Sequence, residues 1–148
     1  MLTVNDVKLT STVAFRMGVL GTIVGDRFAE RLAVHDVKPK HVAMLSVLES
    51  GMAASQLEVA KIMRVAPSLV VSLADHLEGL GAVRRERDPE DRRRQVLALT
   101  EEGRGLLARC TALARAMDEE LVGGLAPEEE AGLRNVLRRL ASAEGLPE

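Results

Sequence analysis

The chain has 148 residues, a length that suits one small domain or one small domain with an oligomerisation element. Aromatic residues make up 1% of it, so neither a sheet-rich fold nor recognition of RNA through stacked bases is expected. The net charge of −2 excludes binding of nucleic acid by bulk charge, and a single cysteine, Cys110, excludes an intrachain disulfide and a cysteine-based zinc site.

The first predicted element is a long helix over about residues 6–33. Its apolar residues form a wide stripe: Leu9, Val13, Val19, Leu20, Ile23, Val24, Phe28 and Leu32. A helix of this length spans about 40 Å at 1.5 Å per residue, which exceeds the core of so small a domain. Part of the stripe therefore needs another chain. A second, short helix is predicted from Pro39 to Gly51, because proline suits the first helical turn.

Two further short helices form a predicted helix-turn-helix unit. The third helix covers about residues 56–63, where Ser55 and Glu58 fit a capping box, and it is expected to bury Leu57, Ala60 and Ile62. The fourth helix begins at Pro67 and ends at the glycines 79 and 81. Its apolar residues recur at three- and four-residue steps, which predicts a buried face: Leu69, Val70, Leu73, Leu77 and Leu80. A brief strand over residues 52–54 is also possible.

A basic hairpin follows the fourth helix. Strands are predicted over residues 82–87 and 95–100, joined by the turn sequence DPED at 88–91. The hairpin holds six arginines: Arg84, Arg85, Arg87, Arg92, Arg93 and Arg94. One interpretation is a solvated loop in which these arginines offset nearby acids. The other is a wing that inserts guanidinium groups into the minor groove of DNA. The preceding helices favour the wing.

The last two predicted elements are long helices. The fifth begins with Thr100 as its cap and ends at the glycines 123 and 124. The sixth begins at Pro127, and its apolar residues at helical spacing, Leu133, Val136, Leu137 and Leu140, indicate core or dimer contacts. No apolar run reaches the roughly 18 residues that cross a bilayer, and no signal segment follows Met1. A cytoplasmic protein without a membrane partner is therefore expected.

This order of elements resembles the MarR family of bacterial transcription regulators over essentially the whole chain. The most specific part is residues 88–103, where DPEDRR is followed by a strand ending in Leu-Thr and then by x-x-Gly. The resemblance implies a mainly α fold with a small β-wing: a six-helix winged helix-turn-helix lobe plus a dimerisation domain of terminal helices. The implied boundaries are 1–36 and 101–148 for dimerisation and 37–100 for DNA binding. A homodimer would then bind a pseudo-palindromic operator in double-stranded DNA.

The resemblance also implies residues for the DNA interface. Arg93 would insert into the minor groove, Arg92 and Arg94 would bind phosphates, and Asp91 would brace the wing by pairing with a neighbouring arginine. Ser55 and Gln56 would approach the DNA backbone. The residues expected to meet base edges are Pro67, Ser68, Val71 and Ser72.

The fourth helix departs from the family pattern, because positions 67, 69, 71 and 72 are commonly Arg or Thr there. Without Arg or Lys on this surface, bidentate contacts to guanine are not available. The remaining means of recognition are Val71 against thymine methyls, serine hydroxyls, water and DNA shape.

The resemblance suggests a small anionic or aromatic effector and no cofactor or metal. The polar groups near the family's effector cleft would be Arg16, His41, His76 and Arg85. Each has a plainer interpretation: Arg16 as a surface or dimer salt bridge, His41 as a helix-start residue, and His76 as a phosphate or intra-lobe contact. The three histidines lack the spacing of a metal site. Cys110 is expected to be an apolar filler rather than a redox switch.

The function predicted from the sequence is a homodimeric transcriptional regulator, most simply a repressor. The alternative is a winged-helix module whose arginines bind an acidic protein partner. An enzyme is not expected, because the sequence has no nucleophile and base pair, phosphate loop or carboxylate pair in a plausible cleft context.

Overall fold

The computed structural model describes residues 7–146, which form a mainly helical fold with one two-stranded antiparallel sheet. The helices are α1 (Val13–Leu32), α2 (Pro39–Ser50), α3 (Gln56–Met63), α4 (Pro67–Gly79), α5 (Glu101–Val122) and α6 (Pro127–Ala143), and the strands are β1 (Val83–Arg87) and β2 (Gln95–Leu99). The expected mainly α fold with a small β-wing is confirmed. Within residues 7–146, no helix combines the length and the apolarity needed to span a membrane.

The chain divides at Pro39 and Lys40 into two compact units. The first unit contains α1, and the second contains α2 to α6 and the sheet. The sequence-based boundaries at 36/37 and 100/101, which separate dimerisation from DNA binding, stay predictions.

Helix α1 is shorter than predicted. It begins at Val13 because Thr12 has an extended backbone and its hydroxyl accepts a hydrogen bond from the Phe15 amide at 3.3 Å. The predicted start at residue 6 lies outside the described residues, and Leu9–Ser11 form a separate 3-10 turn. Its 20 residues span about 30 Å rather than 40 Å. Many of its apolar side chains are exposed: Val13, Phe15, Met17, Val19, Leu20 and Ile23.

The core of the second unit is formed by the inner faces of α2 to α5 and of the sheet. Its buried members include Met44, Leu45, Val59, Val70, Leu73, Leu77, Val83, Leu97, Leu106 and Leu107. Leu57 was expected in this core, but it is 64% exposed. It lies two positions, about 200° around the helix, from the buried Val59. Ile62, Leu69 and Leu80 are half-buried. Cys110 is buried, and its burial raises the pKa of the thiol.

The sheet is joined to the helix-turn-helix at its base. β1 and β2 pair from Val83 with Leu99 to Arg87 with Gln95. The Leu97 amide donates to the Ala54 carbonyl at 2.7 Å, and Ser55 forms a single bridge with Val96. The possible strand over residues 52–54 is therefore reduced to this bridge.

Gly103 allows α5 to approach the lobe closely. The Thr100 hydroxyl caps α5 by accepting from the Gly103 amide at 2.9 Å, and it donates to the Gly81 carbonyl at 2.6 Å. A Cβ atom at Gly103 would lie 2.0 Å from the Ala82 carbonyl oxygen and 2.7 Å from Leu99 Cδ1. Any side chain here would force the helix away from the segment between α4 and β1.

Helix α6 leaves its apolar stripe uncovered within one chain. Leu133, Val136, Leu137 and Leu140 are 40–49% exposed. The expectation of core contacts for these residues is therefore wrong for the single chain, and the alternative, a contact with a second chain, remains. Arg134 connects α6 to α5 through a 3.2 Å ion pair with Asp118.

Candidate nucleic-acid interface

The helix-turn-helix presents one face of α4 outward. Val70, Leu73, Ala74 and Leu77 are buried on the opposite face, which fixes the rotation of the helix. The outward residues are all exposed, and they are Pro67, Ser68, Val71 and Ser72. These are the four residues that the sequence assigned to base edges.

The start of α3 is held by the predicted cap. The Ser55 hydroxyl accepts from the Glu58 amide at 3.2 Å, whereas the Glu58 carboxylate accepts from the Ala54 amide at 3.4 Å, one residue earlier than a standard capping box requires. Ser55 is 4% exposed, so its hydroxyl serves the helix cap rather than an outward contact. Gln56 is half-buried, and its Oε1 atom is buried with no hydrogen-bond partner among the described residues.

Arg85 joins β1 to α4. Its Nη2 atom donates to Asp75 Oδ1 at 2.6 Å and to the Val71 carbonyl at 3.2 Å, and its Nη1 atom donates to Glu78 Oε1 at 3.2 Å. The Arg85 side chain is only 17% exposed. The sequence suggested Arg85 as an effector-binding residue, but protein acceptors already occupy both of its terminal nitrogens.

Two aspartates of the wing loop hold its backbone in turns. Asp91 Oδ1 accepts from the Arg93 backbone amide at 3.0 Å, and Asp88 Oδ1 accepts from the Glu90 amide at 2.9 Å. Asp91 was expected to brace the wing through an ion pair with an arginine side chain. Within residues 7–146 it forms none, because its carboxylate accepts from the backbone two residues ahead and so closes a local turn.

The six arginines of the hairpin divide into two groups. Arg84 pairs with Glu86, Arg85 with Asp75 and Glu78, and Arg94 with Glu58. The other three are exposed and form no ion pair within the described part of the chain: Arg87, Arg92 and Arg93. The interpretation in which the arginines only offset nearby acids therefore fits the first group. The second group includes Arg92 and Arg93 at the tip of the wing, to which that interpretation does not apply.

Arg94 differs from its neighbours because its side chain turns back to α3. Its Nη2 atom lies 2.5 Å from Glu58 Oε1, and its Nε atom lies 3.9 Å from Asp88 Oδ2. The Ala54 amide and the Arg94 guanidinium hold the pKa of Glu58 below its usual value. The family resemblance implies a phosphate contact for Arg94, and that contact stays a prediction. In the structure its guanidinium links the wing to α3.

The remaining effector candidates lie in different surroundings. His41 is 7% exposed, and its ring centroid lies 4.6 Å from that of His76. This pair joins the start of α2 to α4, so an intra-lobe contact for His76 is observed. In the first unit, Arg16 Nε donates to the Thr10 carbonyl at 3.0 Å. No group of three or more potential metal ligands occurs among the residues that the structure describes.

Sequence reasoning missed the long-range partners of these arginines. Nothing in the spacing of Arg94 and Glu58, or of Arg85 and Asp75, signals that they meet.

A further pair joins the turn of the helix-turn-helix to the end of the chain, because Arg64 Nη2 donates to the Glu144 carbonyl at 3.0 Å and to its Oε2 at 3.1 Å. Arg64 has a left-handed backbone, with φ 55°, as the C-cap of α3.

Known proteins are similar to this chain in sequence and in fold. Residues 35–94 match the model of the MarR family. The transcriptional regulator HosA of Escherichia coli O111:H- is 32% identical over 109 residues, which cover 72% of this chain and 78% of HosA.

Two solved structures of the repressor CouR extend the likeness beyond the helix-turn-helix. CouR from Rhodococcus jostii RHA1 bound to p-coumaroyl-CoA has a TM-score of 0.73 and 29% identity, covering 90% of this chain and 94% of that one. CouR bound to a 23-mer DNA duplex has a TM-score of 0.78 and 27% identity, covering 95% and 99%. The fold is therefore shared over nearly the whole chain.

Proposed function

Because this chain belongs to the MarR family of transcriptional regulators, we propose that it is a homodimeric repressor that binds a pseudo-palindromic operator and releases it on binding a small ligand. Regulators of this family act by occupying double-stranded DNA, so no catalytic residue is assigned. A bacterial regulator that acts on promoter DNA works in the cytoplasm, and we place this protein there.

The observation that carries the proposal is the wing tip. Arg92 and Arg93 are exposed, form no ion pair within residues 7–146, and lie in a loop whose turn Asp91 closes. Arg93 is the minor-groove insert and Arg92 binds a phosphate, since the narrow minor groove attracts guanidinium groups. The outward face of α4 enters the adjacent major groove.

The exposed apolar faces of α1 and of α6 support the dimer. In α6, Leu133, Val136, Leu137 and Leu140 follow the i, i+3, i+4, i+7 spacing of one helix face, and each is at least 40% exposed. A contiguous apolar stripe on a monomer marks a surface for association. The terminal segments 1–36 and 101–148 thus supply dimer contacts, while residues 37–100 bind DNA.

The likeness to CouR bound to p-coumaroyl-CoA supports a small effector with an aromatic or anionic group. His41 and His76 are proposed as a pair, because their ring centroids lie only 4.6 Å apart. Arg16 is a further candidate. Arg85 serves the effector only if a ligand carboxylate displaces Asp75 or Glu78 from its guanidinium.

An affinity measurement with the upstream intergenic DNA of the protein's own gene tests the proposal. Wild-type protein is expected to form a salt-sensitive complex that resists competitor DNA. Arg93→Ala is expected to lose about 1–3 kcal/mol of binding and to lower the salt slope by about one unit. Arg138→Ala on α6 is the matched control, because it removes an exposed arginine that lies outside the wing and about 150° around the helix from the centre of the apolar stripe.

An unchanged DNA affinity for Arg93→Ala would contradict the proposal. That result would favour the alternative, a winged-helix module whose arginines bind an acidic protein partner. The absence of any competitor-resistant complex with the wild-type protein would have the same consequence.

A further inference from the structure

The outward face of α4 has no side chain that can make a bidentate contact with a purine. The helix sequence PSLVVSLADHLEG contains no Arg, Lys, Asn or Gln. Arginine and lysine normally read guanine, and asparagine and glutamine normally read adenine, through paired hydrogen bonds in the major groove. The four exposed residues at the start of the helix offer instead two serine hydroxyls, a proline ring and the two methyl groups of Val71.

The two acids of this helix are already occupied. Asp75 and Glu78 both accept hydrogen bonds from the Arg85 guanidinium, at 2.6 Å and 3.2 Å. A free carboxylate at this position would accept from the amino group of cytosine. Because Arg85 holds both carboxylates toward β1, neither is free to contact a cytosine. Val71 is then the apolar side chain at the centre of the outward face.

Val71 forms a fixed apolar surface. It is 42% exposed, and Ser68 and Ser72 lie beside it at the i−3 and i+1 positions. Its backbone carbonyl accepts from Arg85 Nη2 at 3.2 Å, which ties this turn of the helix to the wing strand. In a helix the valine side chain has one strongly preferred rotamer, so its two methyl groups occupy a defined position.

We infer that Val71 reads the 5-methyl group of a pyrimidine in the major groove, selecting thymine at one position in each half of the operator. The inference rests on the proposed function and specifies which DNA that function recognises. The 5-methyl group is the one apolar feature that a base pair presents in the major groove. 5-Methylcytosine carries the same group at the same position, so it makes the same apolar contact with Val71 as thymine does.

The size of the effect follows from the area of one methyl group. Removing one methyl from a buried contact lowers affinity about fourfold. A homodimer makes the contact twice, so removing both methyls lowers affinity about 15-fold. Loss of a bidentate guanine contact would lower the affinity by a larger factor. The measured factor therefore distinguishes recognition of a methyl group from recognition of guanine.

The test replaces each operator thymine in turn, together with its symmetry mate, by deoxyuridine. Deoxyuridine keeps the base pair and the O4 acceptor and lacks only the methyl group. Fluorescence anisotropy with the wild-type dimer is expected to show a loss of about 15-fold at one symmetric pair of positions. With cytosine at that pair, 5-methylation of the cytosine is expected to raise affinity by the same factor.

Two variants assign the effect to Val71. Val71→Ser is expected to bind the thymine and deoxyuridine operators equally, because a hydroxyl replaces the two methyl groups that make the contact. Ser72→Ala is the matched control on the same face and keeps the difference between the two operators. Val71 and Ser72 are both exposed, and circular dichroism checks that each variant is folded.

Three results would overturn the inference. The first is a wild-type protein for which no deoxyuridine substitution matters, and the second is a Val71→Ser variant that still discriminates between the two operators. In both cases specific DNA binding persists, so the proposed function survives. The third, no specific complex with any operator, would contradict the proposed function as well.

Discussion

Arg93 and Arg94 are adjacent in the sequence but lie in different surroundings. The Arg93 side chain is exposed, whereas the Arg94 guanidinium contacts Glu58 at 2.5 Å. A string of arginines in a turn is recognisable from the sequence alone. Which arginine is held by the protein is not, because Glu58 is 36 residues from Arg94 and meets it only after the wing has folded over α3.

Arg94→Ala is expected to lower DNA affinity without changing its salt dependence. Arg94 is paired with a protein carboxylate, so it displaces few counterions from DNA, whereas each phosphate contact contributes about 0.9 to the salt slope. Titrations at four or five salt concentrations would measure this slope, with Arg93→Ala as the comparison. A slope that falls equally in both variants would show that Arg94 binds phosphate.

The titration of Glu58 provides an independent measurement of the same contact. The Ala54 amide and Arg94 both lower the pKa of Glu58. A lowered pKa means that this contact stabilises the fold above the ordinary carboxyl pKa and is lost as the pH falls through the lowered value. Arg94→Ala is expected to raise the Glu58 pKa in a carboxyl NMR titration, and an unchanged value would contradict the contact.

At the scale of elements, sequence patterns identified the helix-turn-helix and the wing well. The starts of α2 and α4 at proline and the caps of α3 and α5 at Ser55 and Thr100 depend on local chemistry, so they were predictable. Both strands end within one residue of the prediction. The start of α1 was missed because a hydroxyl cap at Thr12 interrupts an apolar pattern that continues through it.

Gly103→Ala is expected to destabilise the fold by roughly 3 kcal/mol, at the upper end of overpacking substitutions. The added methyl would lie 2.0 Å from the Ala82 carbonyl oxygen, so α5 would have to move away from the segment that leads into β1. Urea denaturation would measure the loss of stability.

Gly105→Ala is the matched control, two residues along the same helix. The nearest atom to its added methyl is Arg109 Nη1 at 3.5 Å, the end of a flexible side chain. This variant is expected to be more stable than the wild type by about 0.5–1 kcal/mol, because alanine favours the helix over glycine. Equal effects at the two positions would contradict the close approach of α5 to the lobe.

At the scale of the whole molecule, the exposed apolar stripe of α6 is the feature that one chain leaves incomplete. Periodicity alone identified the stripe but could not distinguish a core from a dimer contact, because both need the same spacing. In the structure these residues are not part of the core of the single chain, since Leu137 is 48% exposed and Val136 is 49% exposed.

Leu137→Glu is expected to raise the dissociation constant of the dimer about 100-fold or more, because a symmetric interface loses two buried leucines and gains two charges. Sedimentation velocity at several protein concentrations would measure the change. DNA affinity should fall in parallel, since a single lobe loses the second set of contacts. Arg138→Glu puts the same carboxylate about 150° around α6 from the centre of the stripe and should leave the dimer intact.

The ion pairs made by Arg85 and Arg94 have a consequence for how an effector acts. They join the wing to α4 and to α3, so the two elements that we propose to contact DNA move together within one lobe. An effector then changes the separation of the lobes and leaves the preferred bases as they were. Each base pair inserted between the half-operators rotates them by roughly 35°. Operators with an altered spacer should therefore recover part of their affinity when the effector is present.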